Sequence, residues 1–229
     1  MASEEGSALV LSARSEVPAN VLDDQISGAD RIRICIDQLL AFAILTAASP
    51  VMAVIALLIR RDGGPAMFAH YRVGRGGRLF GCLKFRTMRA DADRVLHELL
   101  ESDPACRAEW QRHHKLTNDP RVTALGPWLR RSSLDELPQL LNVLRGEMAL
   151  VGPRPITVDE LRRYGRARWH YLSVLPGMTG LWQVGGRNQT TYERRVELDE
   201  FYVKNRSVWL DCRILAKTVV VVLRREGAC

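Results

Sequence analysis

The sequence predicts an α+β fold, mostly helical, in a monotopic membrane protein with a re-entrant helix-break-helix and a small β-hairpin. Three observations lead there. Leu39 to Ile59 is an uncharged apolar run of 21 residues with Ser49-Pro50 at its centre. A glycine cluster, Gly74-Arg75-Gly76-Gly77, separates two stretches with the residue alternation of strands. Much of the remaining chain carries the spacing of polar or amphipathic helices.

A chain of 229 residues is long enough for one core. Its net charge of +7 and pI near 9.5 favour anionic partners: phospholipid, nucleotide, nucleic acid or a phosphorylated substrate. The cysteines (Cys35, Cys82, Cys106, Cys212, Cys229) are scattered and form no C-x-x-C pair, which signals neither a disulfide framework nor a zinc site. A reducing cytoplasmic setting fits.

Residues 1–30 mix small, acidic and apolar residues without a sustained period and read as a mobile N-terminal tail. Glu4 and Glu5 stand where a signal peptide would be basic. The apolar run that follows would reach about 31 Å as a straight helix, enough to cross a bilayer. Pro50 bends it, however, and arginines flank both ends: Arg31 and Arg33 before, Arg60, Arg61 and Arg72 after. Positive charge marks the cytoplasmic side, so both ends are expected there, with a re-entrant hairpin over residues 31–61 turning within one leaflet. A kinked span and a buried core helix are the alternatives.

Ala66 to Met88 reads as a β-hairpin. The glycine cluster suits a turn better than a phosphate cradle, because it lacks the spacing of a P-loop or dinucleotide fingerprint. Lys84 and Arg86, two residues apart, are expected on one strand face. Ala90 to Leu116 is a polar helical region broken near Asp103-Pro104. His114 in this region and Asp119 just beyond it match the H-x-x-x-x-D spacing of some lipid acyltransferases, a short pattern that also arises by chance.

Ser132-Ser133-Leu134-Asp135-Glu136-Leu137-Pro138 joins two adjacent carboxylates to a helix whose Leu137, Leu140, Leu141 and Leu144 share one face. Ser133 and Glu136 have the spacing of a capping box. Pro138 argues instead for a helix starting at Asp135, since Pro is tolerated in a first turn. Arg130 and Arg131 lie just upstream. In Gly152-Pro153-Arg154-Pro155 two prolines hold the backbone extended around Arg154, either as an ordinary turn or to aim a guanidinium at phosphate. Pro176 to Asn188 reads as a structured loop offering Gln183 and Arg187. Tyr192 to Asn205 is a second polar helix. Leu210 to Arg225 sets Leu210, Ile214, Leu215, Val219 and Val222 along one face, for core packing or for lying on anionic lipid.

In order along the chain, Ser49-Pro50, Lys84-Phe85-Arg86-Thr87-Met88, Asp119-Pro120-Arg121, Leu129 to Gly146, Gly152-Pro153-Arg154-Pro155 and Pro176 to Asn188 resemble the blocks of the bacterial sugar transferase family. These are small monotopic polyprenyl-phosphate hexose-1-phosphate transferases, also called phosphoglycosyl transferases. The resemblance covers about residues 30 to 225. Larger members carry an additional N-terminal multi-span domain that has no counterpart in this sequence.

The resemblance implies a cytoplasmic catalytic domain over residues 62–229, with a C-terminal interfacial helix, on the inner membrane of a bacterium. It implies transfer of a sugar-1-phosphate from a UDP-sugar to undecaprenyl phosphate, the first membrane step in making an exopolysaccharide or glycoconjugate. By the same resemblance Asp135 is the nucleophile and Glu136 holds Mg²⁺. Lys84, Arg130 and Arg154 match the phosphate contacts, while Gln183 and Arg187 are substrate-binding candidates. Val184-Gly185-Gly186 departs from the commoner Val-Ser-Gly at one position. The expected partners are the two substrates and anionic membrane lipid, with a homo-oligomer compatible and nucleic acid not expected. The rivals are a membrane-bound acyltransferase using His114 and Asp119, and a non-enzymatic basic scaffold on the membrane.

Overall fold

The computed structural model describes residues 27–113, 116–186 and 190–224. The first 26 residues of the expected tail, His114 and Arg187 lie outside these. Helix α1, Gly28–Arg60, starts inside the stretch read as tail because the Ser27 hydroxyl accepts the Asp30 amide at 3.1 Å, capping the first turn. This is the one described helix apolar and long enough to cross a bilayer, with a mean hydropathy of 2.4 in its most apolar window.

The expected break at Ser49-Pro50 is not an interruption of α1, which continues through Pro50. Pro50 has no N–H to give the Thr46 carbonyl four residues back. The Ser49 hydroxyl donates to that oxygen instead, at 2.8 Å, and Thr46 Oγ1 donates to Phe42 O at 2.8 Å. The Ser49 hydroxyl thus stands in locally for the missing backbone donor.

Both ends of α1 are tied to the rest of the chain. At the start Asp30 pairs with Arg206 (2.9 Å) and Arg33 with Asp211 (2.8 Å), while Gln38 Nε2 donates to Leu144 O (3.0 Å). At the far end Asp62 pairs with Arg86, whose Nη2 also donates to Ile59 O. Between these anchors Ala41, Ile55 and Ile59 are buried, whereas Phe42, Ile44, Val51, Val54 and Leu57 are exposed.

The expected hairpin is present. Strands β1 (Met67–Val73) and β2 (Leu79–Phe85) pair antiparallel, with Phe68 opposite Lys84 and Arg72 opposite Phe80. Gly76 and Gly77 take φ of 63° and 76° in the connection, a conformation that explains the glycines as turn residues. Arg86 does not share the fate of Lys84. It falls just beyond β2 and is buried, with donors to Pro65 O, Ile59 O, Met88 O and Asp62, so it clamps the end of α1 rather than meeting a ligand.

Two polar helices, α2 (Ala92–Ser102) and α3 (Pro104–His113), follow with their boundary at Asp103-Pro104. Then come α4 (Gly126–Ser132), a 3₁₀ turn at Leu134–Glu136 and α5 (Gln139–Leu144). Strand β3 (Ala149–Val151) lies parallel to β4 (Gly177–Thr179), and α6 (Val158–Arg163) and α7 (Arg168–Leu172) fill the connection. The chain finishes with α8 (Tyr192–Asn205) and α9 (Val208–Arg224).

The largest buried cluster joins Ala41 of α1, Phe80 and Cys82 of β2, Leu140 and Val143 of α5, Leu150 of β3, Tyr202 of α8 and Ile214 of α9. A second joins Ile55 and Ile59 to Phe85 and Leu129. Helix α1 is therefore part of the same core as the elements that carry the charged residues. Helix α9 divides along its length: Ile214 is buried with Leu210 and Leu215 packed beside it, while Val219 is 58% exposed. The packing expectation holds for the first half of that helix, while Val219 and Val220 leave its second half an exposed apolar face.

Candidate active site

A cavity of about 960 Å³ opens between α1, the hairpin, the turn after α4, and α9. Lys84, Arg130, Asp135, Glu136, Arg154 and Gln183 all line it, so six of the seven candidate binding or catalytic positions from the sequence come together. Arg187 lies outside the described residues. The cavity is also lined by the polar Arg72, Glu160 and Arg195, which sequence reasoning did not select, and by the apolar Ile44, Phe68, Leu215, Val219 and Val222.

Each charged group is positioned by its own local structure. Ser133 takes a left-handed conformation, φ 56° and ψ 15°, and is the one described non-glycine residue with positive φ. It ends α4 and opens the 3₁₀ turn Leu134–Glu136 that carries both carboxylates. Neither local reading of this stretch survives. The Ser133 side chain makes no capping bond, and Asp135 precedes α5 instead of starting it, since that helix begins after Pro138. With only six residues in α5, side-chain cations and not a helix terminus supply the positive field.

Glu136 Oε1 accepts from Lys84 Nζ at 2.6 Å and lies 3.9 Å from Arg154 Nη1. Arg130 Nε donates to Thr87 Oγ1 at 3.0 Å, which holds its guanidinium beside the cavity. Burial pushes the Asp135 carboxyl up to about 6; Glu136 pushes the same way, and Lys84 and Arg130 oppose it. At pH 7 the carboxylate form still predominates.

Asn142 sets the register of this constellation. It is fully buried in α5; its Oδ1 accepts the Leu83 amide (3.0 Å), and its Nδ2 donates to Gly81 O (2.8 Å) and Glu147 Oε2 (2.6 Å). β2 is thereby fastened to α5, and Lys84 is brought to Glu136 across 52 positions of sequence. The sequence signal was faint: one polar residue within the apolar Leu-Leu-Asn-Val-Leu.

Arg154 is aimed by a contact between two glycine-containing loops. Gly152 N donates to Thr179 O (2.9 Å) and Gly177 N to Pro153 O (2.8 Å). A Cβ on Gly177 would stand 2.0 Å from Gly152 N, so the approach admits only glycine. Gln183 serves the same loop, donating from Nε2 to Met178 O at 3.1 Å. The acyltransferase pattern fares differently. Asp119 is held by Arg121 through bonds of 2.8 and 2.7 Å, and Arg121 lies over the Trp110 ring.

For Mg²⁺ the donor chemistry fits. Asp135 and Glu136 offer hard carboxylate oxygens, and no group of three or more potential protein ligands gathers among the described residues. Mg²⁺ ordinarily uses one or two carboxylates with waters and substrate phosphates, so such a site needs no protein cage.

Adjacent carboxylates beside Lys84, Arg130 and Arg154, in a cavity that Arg72 and several apolar side chains also line, suit an anion that carries a greasy part. The chain belongs to the bacterial sugar transferase family, whose pattern it matches over residues 29–225. It is 56% identical over 192 residues to the undecaprenyl-phosphate galactose phosphotransferase of Salmonella typhimurium, covering 84% of this chain and 40% of that protein. It is 53% identical over 188 residues to the UDP-galactose-lipid carrier transferase of Erwinia amylovora, covering 82% and 39%. It is 48% identical over 193 residues to the exopolysaccharide production protein ExoY of Sinorhizobium fredii, covering 84% and 85%. The chain thus spans about 40% of the length of the first two relatives and most of the third. Membership in a family of transferases sets aside the non-enzymatic scaffold.

Proposed function

We propose that this protein transfers a sugar-1-phosphate from a UDP-sugar to undecaprenyl phosphate through a covalent aspartyl-phosphosugar on Asp135. The observation that carries the reading is the gathering of Asp135, Glu136, Lys84, Arg130 and Arg154 in one cavity that apolar side chains also line. Names of relatives that pair galactose or UDP-galactose with a lipid carrier support the choice of substrates.

Asp135 Oδ attacks the phosphorus that bears the sugar, and the bond from that phosphorus to the UMP oxygen breaks. UMP leaves with the electron pair. A lipid phosphate oxygen then attacks the same phosphorus, the Asp135–phosphorus bond breaks, and the carboxylate is restored. A carboxylate approaching a pyrophosphate meets repulsion, which Lys84, Arg130 and Arg154 offset. Mg²⁺, held by Glu136 with Asp135 adjacent, would neutralise phosphate charge. Lys84, now paired with Glu136, is also placed to follow the developing negative charge on the leaving oxygen.

The membrane reading belongs to the same proposal. Helix α1 enters one leaflet from the cytoplasmic face of the inner membrane and returns by bending at Ser49-Pro50 without a break in its helical run. Ion pairs at both ends to one folded body, and exposed apolar residues between them, support this. It places the cavity at the head-group plane, where a lipid phosphate resides.

The test is incubation of the purified protein with Mg²⁺ and a panel of UDP-sugars without lipid acceptor. One equivalent of UMP per protein and a hexose-phosphate mass increment mapping to Asp135 are expected. Turnover with acceptor but no increment would mean direct transfer.

A further inference from the structure

We propose that Glu160, held by Arg72, is a hydroxyl-reading group at one end of the cavity, accepting hydrogen bonds from a ring hydroxyl of the nucleotide sugar. The proposal deepens the phosphosugar reading above and rests on it for the identity of the ligand.

Arg72 and Glu160 line the same cavity as Asp135. The backbone offset of Arg72 from the position opposite Lys84 follows from the strand register. Lys84, the partner of Glu136, lies opposite Phe68 on β1, and Arg72 lies four residues further along the same strand. At about 3.4 Å per residue the two positions are roughly 14 Å apart, and residues i and i+4 share one strand face. Phe68 and Arg72 both line the cavity, so that face forms one of its sides. A nucleoside diphosphate sugar carries a ring on each side of its pyrophosphate. With the phosphates among Lys84, Arg130 and Arg154, one ring is brought towards Arg72.

The chemistry at that end suits a neutral ring and not another phosphate. Glu160 Oε2 accepts Arg72 Nη1 (3.1 Å), Thr157 N (2.8 Å) and Thr157 Oγ1 (3.2 Å), while Thr157 Oγ1 accepts the Glu160 amide (3.2 Å). These bonds form a capping box at the start of α6 and fix the carboxylate plane. All of them use Oε2; no described residue donates to Oε1. The Glu160 side chain is 38% exposed and borders the cavity. Paired with Arg72, it adds no net charge beside the pyrophosphate, yet it still presents an acceptor to an O–H donor.

The experiment measures kcat/KM with undecaprenyl phosphate as acceptor for UDP-galactose, its 2′-deoxyuridine counterpart and UDP-galactoses lacking one hexose hydroxyl at a time. The full chain is used in lipid nanodiscs, as wild type and as Glu160→Gln. Glutamine at this position retains the capping box. The ratio between two donors on one protein does not depend on the folded fraction. Wild type should favour UDP-galactose over one deoxy donor by about ten- to a hundredfold, the range for a hydrogen bond to a charged group, and Glu160→Gln should narrow that to about threefold or less. The donor affected identifies the ring as ribose or hexose. Discrimination against every deoxy donor that survives Glu160→Gln, or a wild type that discriminates against none, overturns the proposal. Collapse of the ratio without any Asp135 adduct would overturn the covalent mechanism and leave this site standing.

Discussion

Replacing Asp135 with asparagine should abolish transfer and at the same time stabilise the fold. Burial raises this carboxyl from 3.8 to about 6, so the folded state resists its ionisation. Between those two values the folded protein keeps a proton that the unfolded chain has lost, and stability therefore falls as pH rises through the window. Above about 6 the cost is fully present. A shift of about two units corresponds to at most about 3 kcal/mol, and partial solvent access reduces this to about 1–2 kcal/mol. For a protein of this size that is a rise in Tm of roughly 2–8 °C. Asparagine imitates the protonated form and removes the cost. Thermal unfolding in detergent micelles at pH 4, 6 and 8 should show Asp135→Asn gaining on wild type up to about pH 6 and holding its lead above. Single-turnover UMP release should be lost in the variant and, in wild type, should fall as pH drops through about 6, where Asp135 becomes protonated. A variant with no stability gain at pH 8, or one that keeps normal turnover, would refute the reasoning.

Three further outcomes follow from the geometry. Gly177→Ala must push a methyl group into the Gly152 amide, a loss of at least 1–3 kcal/mol by overpacking. Its Tm should fall, and the fraction that folds should turn over slowly because Arg154 is displaced. Chelation with EDTA should stop transfer and added Mg²⁺ should restore it, without a change in the far-UV circular dichroism, because so few carboxylates could hold the ion. Cys35 lies on α1 ahead of Ser49-Pro50 and is exposed, and Cys106 lies beyond α1. In intact spheroplasts an impermeant thiol reagent should leave both unlabelled, and inverted vesicles should expose both; labelling on opposite sides would mean that α1 spans the bilayer.

Much of the fold was legible because it depends on neighbours in sequence. Gly76 and Gly77 mark a turn, Asp103-Pro104 divides two helices, and the Leu39 to Ile59 run announces an apolar helix long before its packing is known. At Pro50 the expected break in the helix is absent, while re-entry into one leaflet belongs to the proposal. Ser49 repairs the lost hydrogen bond from the side, and the helix runs on.

At the site, residue types pointed to Asp135, Glu136 and the cations; tertiary structure decided which of them meet. Lys84 and Arg86 looked equivalent on a strand, yet one pairs with Glu136 and the other is buried against Asp62 and Ile59 O. Asn142 passed for a break in a leucine pattern until its bonds to β2 were seen, and Arg72 meets Glu160 across 88 positions. Turn chemistry and hydrophobic period act over a few residues, so the linear chain contains them. Which charge faces which depends on how distant elements share a core, and only packing in three dimensions specifies that.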